Sequence, residues 1–260
     1  MRENRIKQIW ASGGAVLNGW CAIPSGFSAE LMASLGWDSL VIDTQHGLVG
    51  YESMVAMLQG ISTTSAVPMV RVSWNDPADI MKALDAGAYG IICPMVNSRA
   101  DCERFVGACR YAPRGYRSSG PLRALLYGGS DYASKANDTV LALAMIETRE
   151  ALAALDEIAA TPELDGLYIG PSDLSVSLGL PHGLDRNEDI VVQAIRSVFE
   201  ACRRHRIKAC MHTGGVAYAK RMFEMGFDLV TVLSDSRLIS LAGAPVVAEV
   251  RAAMPRRTST

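Results

Sequence analysis

Two carboxylates stand where apolar runs end. Glu147 closes "LALAMIE" (141–147), and Asp173 follows "GLYIGP" (166–171) within "IGPSD". Acids on neighbouring strands, about 4.8 Å apart, repel one another, and one pKa rises unless a cation sits between them. Two protein oxygens, completed by waters and a chelating substrate, suit a hard divalent ion such as Mg2+, Mn2+ or Co2+. Taken singly, each acid also fits a helix start, where the dipole favours negative charge; the metal reading rests on the pair. Behind Gly170 and Pro171, the N–H groups of Ser172 and Asp173 would open a short helix after a strand and could hold a small carboxylate. An ordinary tight turn is the alternative there.

His46, in "VIDTQHG", carries an imidazole, the side chain best suited to proton transfer. Asp43, three residues earlier, is near enough through the turn to orient the imidazole. His212, at the end of "KACMHT", is the rival base, whereas His182 and His205 fall in a loop and at a helix end and read as solvated. Arg71 lies inside the apolar run "VPMVRV". A cation there is costly unless it meets an anion. It either bridges to Asp43 or Glu147, or faces negative charge developing on a substrate oxygen. Asp85, in "ALDAG", reads from its own neighbourhood as a surface charge.

These residues need strands whose ends converge. Eight short apolar runs read as strands: 19–24, 39–43, 67–72, 90–96, 141–147, 166–171, 208–213 and 228–234. Amphipathic runs such as "DPADIMKALDAG" and "EDIVVQAIRSVFEACRRH" alternate with them. Strands apolar on both faces imply a parallel sheet covered by helices. Asp76 before Pro77 marks a helix start, and Gly36, Gly87 and Gly226 mark helix ends. Eight strand–helix units in 260 residues predict an α/β fold, a single (β/α)8 barrel over 1–260, with its site at the C-terminal strand ends. "IPSGFSAE" is not the GxGxxG of a doubly wound sheet. The stretch 114–138 reads as irregular, on the face away from the site, and suggests contact with another subunit.

Composition removes other classes. Lys+Arg number 25 against 27 Asp+Glu, with no basic cluster for nucleic acid, and no apolar run spans a bilayer. "MRENRIKQIW" is too polar for a signal peptide. The six cysteines form no CxxC pair and suit buried thiols rather than a disulfide framework. A cytoplasmic protein is expected.

Together, "VIDTQHG", "VRVSWNDPADIMKALDAGAYGIICPMV", "AMIETREAL" and "GLYIGPSDLS" resemble the HpcH/HpaI aldolase family of metal-dependent class II pyruvate aldolases, over about residues 15–250. The resemblance implies a barrel whose last helix is exchanged between subunits, assembled as a homohexamer. It also implies reversible aldol cleavage of a 4-hydroxy-2-oxo acid to pyruvate or hydroxypyruvate and an aldehyde, through an enolate. By the same resemblance Glu147 and Asp173 are metal ligands, His46 the base, and Asp85 the carboxylate that raises its basicity. Arg71 stabilises the transition state, Ser172 holds the substrate carboxylate through its backbone, and Leu122 and Arg123 reach a neighbouring subunit's site. Two positions depart from the family pattern: Gln45 precedes His46 where a glutamate is common, and Met145 stands where many members carry a glutamine. The "DTQHG" form is similar to members acting on hydroxypyruvate. No lysine falls at a strand's C-terminal end, which disfavours Schiff-base chemistry. The rival readings are a coenzyme A thioester lyase, a phosphosugar enzyme using "TGG" (213–215), and a non-catalytic oxo-acid-binding barrel.

Overall fold

Eight parallel strands close into a barrel in chain order. They are β1 (Val16–Cys21), β2 (Ser39–Asp43), β3 (Val67–Arg71), β4 (Gly90–Cys93), β5 (Leu141–Ile146), β6 (Gly166–Ile169), β7 (Lys208–Thr213) and β8 (Leu229–Val232), and β8 pairs with β1 to complete the ring. Around them run α1 (Arg5–Ala11), α2 (Gly26–Ala33), α3 (Tyr51–Ile61), α4 (Pro77–Asp85), α5 (Arg99–Cys109), α6 (Leu122–Gly128) and α7 (Tyr132–Thr139). The series continues with α8 (Arg149–Ala153), α9 (Leu155–Ala159), α10 (Pro171–Ser177), α11 (Asp189–His205), α12 (Val216–Met225) and α13 (Asp235–Ala253). This computed structural model describes residues 1–254; of the expected 1–260 barrel, residues 255–260 lie outside the described residues.

Alternation along each strand divides the core in two. Val41, Met69, Leu143, Met145 and Tyr168 pack inside the barrel, and Ile42, Val70, Ala144 and Ile169 pack outward against the helices. The α1 residues Ile6 and Trp10 join the inner cluster and plug the barrel's N-terminal end. The helix signals behave as expected: Asp76 accepts from the Ala78 N–H, and Gly36, Gly87 and Gly226 adopt left-handed φ of 94°, 104° and 95°. The expected 39–43 and 208–213 strands fall on β2 and β7. β1 begins at residue 16 rather than 19, because polar Asn18 lies inside the barrel with its amide hydrogen-bonded, which a reading by hydropathy passes over.

The 114–138 stretch is not irregular throughout. It holds α6 and α7, too short for a helical period to show, which bury Ala124, Tyr132 and Ala136 in the inner cluster. All six cysteines are buried free thiols, and among the described residues no helix is long and apolar enough to cross a membrane.

The last helix is rooted but hardly packed. Asp235 is its one buried residue, and the carboxylate accepts from the N–H groups of Ala22 and Ile23 just after β1 (3.0 and 3.1 Å). Farther along, Ile239, Leu241, Val246, Val247 and Val250 are each more than half exposed.

Candidate active site

Inward-facing positions at the C-terminal strand ends carry the chemistry. Asp43 and Arg71 end β2 and β3, His212 sits one residue before the end of β7, and Glu147 is the next inward position after Leu141, Leu143 and Met145. They line a cavity of about 520 Å3 together with Trp20, His46, Tyr168, Gly170, Pro171, Ser172, Asp173 and Arg237.

Asp43 and Arg71 are register partners, so their side chains leave neighbouring strands side by side. Arg71 Nε and Nη2 donate to the two carboxylate oxygens at 2.9 and 2.6 Å, a bidentate pair almost wholly buried. Trp20 Nε1 donates to the same carboxylate at 3.2 Å, and the guanidinium lies 4.9 Å from the Trp20 ring centroid. Burial pushes the Asp43 carboxyl up, but the hydrogen bonds and charge of Arg71, with the His46 and Trp20 N–H groups, hold it below the usual carboxylate range. Of the two bridges open to Arg71, the one with Asp43 forms.

This corrects the expected contact between Asp43 and the His46 ring. Asp43 is saturated by Arg71 and Trp20, and what it accepts from His46 is the backbone N–H, alongside that of Gln45 (3.2 and 3.1 Å). It shapes the turn rather than the imidazole. The turn is tight enough that any side chain at Gly47 would collide with the Asp43 carbonyl. His46 itself is exposed at the cavity wall.

Glu147 is buried, and its Oε1 accepts from the Met95 N–H at 2.7 Å. Met95 adopts a left-handed φ of 55°, a strained conformation for this residue that aims its N–H at the carboxylate. Oε2 lies against Gly170, where a Cβ would collide with it and come within 2.8 Å of Met145 Cε. Burial raises the Glu147 carboxyl to about 7; the Met95 N–H opposes this, and the Asp173 charge adds to it. Asp173 comes not from the strand itself but from the first turn of α10, exposed to the cavity. Pro171 opens that helix, and the N–H groups of Ser172 and Asp173 fall in the first turn, which has no intrahelical acceptors.

Other expected residues lie elsewhere in the chain. Asp85 ends α4, which runs back to the N-terminal side of the barrel, and accepts from the buried Arg117 at 2.7 Å. It makes no contact with His46, and the basicity role expected for it is not met within the chain. Arg123 donates to the Ala86 and Leu58 carbonyls, and Leu122 is exposed beside it, so neither lines the cavity. α6 covers the end of the barrel opposite the mouth, so the reach expected of Leu122 and Arg123 is toward another subunit and not toward this cavity. The phosphate cradle considered at "TGG" is stopped by the chain's own acid, because Asp185 accepts from the Gly214 N–H at 2.7 Å.

His212 does line the cavity, but burial and the Arg71 cation push its pKa down to about 4, so it stays neutral at pH 7. Sequence reading missed Trp20, Tyr168 and Arg237. The first two sit in apolar strands and look like core; only the observed strand starts at Val16 and Gly166, from which inward positions alternate, mark both as inward-facing.

The family profile described as HpcH/HpaI aldolase/citrate lyase matches residues 20–235. A hydroxypyruvate/pyruvate aldolase of Rhizorhabdus wittichii is 43% identical over 249 residues, covering 96% of this chain and 99% of that protein. A 4-hydroxy-2-oxo-heptane-1,7-dioate aldolase of Klebsiella pneumoniae is 35% identical, covering 92% of this chain and 90% of that one. Among solved structures, an HpcH/HpaI aldolase/citrate lyase family protein from Burkholderia cenocepacia superposes with a TM-score of 0.88 at 29% identity, covering 95% of this chain and 99% of that chain. With its closed barrel and its acids gathered at one mouth, this chain belongs to the HpcH/HpaI aldolase/citrate lyase family.

Proposed function

We propose that the chain is a class II, divalent-metal-dependent aldolase, a carbon–carbon lyase. It cleaves a 4-hydroxy-2-oxo acid to pyruvate or hydroxypyruvate and an aldehyde, and runs the reverse condensation. One observation carries this reading: a single cavity gathers two carboxylates, Glu147 and Asp173, with His46 and Arg71 and without any lysine. Lys7, Lys82, Lys135 and Lys220 lie on helices, and Lys208 opens β7, paired with Asp228.

Glu147 and Asp173 would hold the ion. Two oxygen donors without thiolate or imidazole fit a hard cation such as Mg2+, Mn2+ or Co2+. A buried carboxyl lifted to about 7 beside a second acid is a group that a cation returns to its charged form. When bound, the ion supplies Lewis-acid stabilisation of negative charge on the keto oxygen.

The chain's own residues do the rest. The Ser172 and Asp173 N–H groups hold the substrate carboxylate. His46 accepts the proton of the C4 hydroxyl. As that oxygen becomes the aldehyde carbonyl, the C3–C4 bond breaks and its electron pair passes to the oxo-acid fragment as an enolate. Arg71, held in place by Asp43, faces the charge, and a proton returned to C3 completes the product. Met145 and Gly170 keep the wall beside Glu147 apolar and close.

Assembly follows from α13. Its exposed apolar residues favour cover by a second copy, which supports a homo-oligomer; the hexamer and the exchange of this helix between subunits rest on the family resemblance. Six buried free thiols suit the cytoplasm.

The test combines chelation with trapping. Dialysis against EDTA should lower aldol turnover by at least about 100-fold, with Mn2+, Co2+ or Mg2+ restoring it, and borohydride with pyruvate should leave the mass of the protein unchanged. Chelator-resistant turnover with a reduced covalent adduct would overturn the reading. Gly170→Ala should displace Glu147 and lower kcat/KM by about 100-fold, the usual cost of misplacing a reacting group by an ångström, while circular dichroism shows an intact barrel. Unchanged kcat/KM would mean that Glu147 does not need its present position.

A further inference from the structure

A file of polar side chains runs through the apolar interior of the barrel and ends beneath the cavity. Ser39, Asn18, Thr231 and Tyr168 are fully buried. Ser39 Oγ donates to Asn18 Oδ1 at 2.7 Å, and Asn18 Nδ2 donates to Thr231 Oγ1 at 2.7 Å. Thr231 Oγ1 and Tyr168 Oη lie 2.6 Å apart, and Tyr168 Oη is 3.4 Å from Nδ1 of His212.

The hydrogens of such a file run end to end in one of two directions, because a Thr231 oxygen accepting from both Asn18 and Tyr168 would leave its own hydrogen without an acceptor among the described residues. In one, His212 Nδ1–H donates to Tyr168, Tyr168 to Thr231, Thr231 to the carbonyl of a flipped Asn18 amide, and that amide to Ser39. The Ser39 hydroxyl hydrogen is then left without an acceptor among the described residues, deep in the barrel, where an unmade hydrogen bond is costly. In the other direction every hydroxyl hydrogen is used: Ser39 to Asn18, Asn18 to Thr231, Thr231 to Tyr168, and Tyr168 to His212 Nδ1. A neutral imidazole has one donor and one acceptor nitrogen. With Nδ1 accepting from below, Nε2 carries the hydrogen, on the ring edge turned to the cavity. The Trp20 ring, edge-on at 4.8 Å and 88°, holds the plane of the imidazole.

We infer that Ser39, Asn18, Thr231 and Tyr168 are positioning residues that fix His212 as its Nε2–H tautomer, and that this N–H donates to a hydroxyl on carbon 3 of the bound oxo acid, favouring hydroxypyruvate over pyruvate. The substrate half of the inference rests on the aldolase reading. β7 is the stave next to β6, whose end leads into Ser172 and Asp173. A three-carbon acid held there by its carboxylate would extend its third carbon toward the neighbouring strand that carries His212. A methyl group offers this donor nothing, whereas a hydroxyl accepts from it.

The test has two arms. Nitrogen-15 NMR of the histidine-labelled full chain, with His212 assigned by the signal lost in His212→Gln, should show the Nε2–H tautomer at pH 7. In Thr231→Val the two tautomers should mix, and the ratio of kcat/KM for hydroxypyruvate to that for pyruvate should fall about fivefold, the value of one neutral hydrogen bond. Thr231→Ser, which keeps the hydroxyl, should restore both. If Thr231→Val fails to fold by circular dichroism, Tyr168→Phe carries the same comparison. An Nδ1–H tautomer in the wild-type protein, or a ratio that stays constant in folded Thr231→Val, overturns the inference. A wild-type protein that turns over neither donor defeats the aldolase reading instead, and the nitrogen spectrum still decides the tautomer.

Discussion

Glu147→Ala should lower aldol turnover by at least about 1,000-fold, the several kcal/mol that a bound divalent ion contributes to the transition state. It should also abolish saturable Mn2+ binding in a calorimetric titration. The reason is local. Asp173 alone, exposed on the first turn of α10, would offer a single carboxylate, and Glu147 would be the donor on the buried side of the cavity. Glu147→Gln makes the argument sharper. The amide can still accept from the Met95 N–H, so the strained Met95 backbone keeps its partner, yet the negative charge is gone. The glutamine variant should therefore be folded like the wild type and nearly as inactive as the alanine variant. Retention of more than about a tenth of turnover in either one would take Glu147 out of the ion site.

The second large effect belongs to Arg71. Arg71→Leu strands the Asp43 carboxylate in a buried site and should cost about 3–5 kcal/mol of stability in urea unfolding. Turnover should fall about 100-fold to 1,000-fold, as when a positioned donor to a developing oxyanion is removed. Adding Asp43→Leu removes the stranded charge, and the double variant should recover most of the stability but none of the turnover. Recovery of turnover as well would make the pair purely structural. The pair also has a pH signature. Because the folded state holds the Asp43 carboxyl below its ordinary range, the stabilisation is complete above the unfolded value near about 4. It is lost as the pH falls through the lowered folded value. Thermal midpoints should therefore drop through that acid window in the wild type and vary less in Asp43→Asn.

The barrel was legible because its signals are local. Apolar runs such as "SLVID" and caps such as Asp76–Pro77 and Gly87 depend on neighbouring residues alone. Arg71 and Glu147 stood out because a charge beside an apolar run demands an explanation, and the explanation in both cases is the cavity. Tyr168 and Trp20 gave no such signal, since an aromatic in a strand satisfies a core reading and its polar tip goes unnoticed. Asn18 was hidden by falling just outside the expected first strand. Asp85, Leu122 and Arg123 lie away from this chain's own cavity for a different reason. Their positions depend on how α4 and α6 fold around the closed end of the barrel, and Arg117, which claims Asp85, lies 32 residues away in sequence. Asp43 shows the same limit at short range: its tie to Arg71 across two strands outweighs its nearness to His46.

The anchorage of the last helix ties its course to the cavity wall. Leu233, Ser234 and Arg237 form part of the cavity wall, and Asp235, in their midst, is bolted to the backbone just after β1. The helix is thus a lever with its fulcrum at the cavity mouth, and its long, largely exposed arm stands clear of the barrel. A displacement of the far end would therefore be passed through Asp235 to the cavity wall rather than absorbed by the barrel.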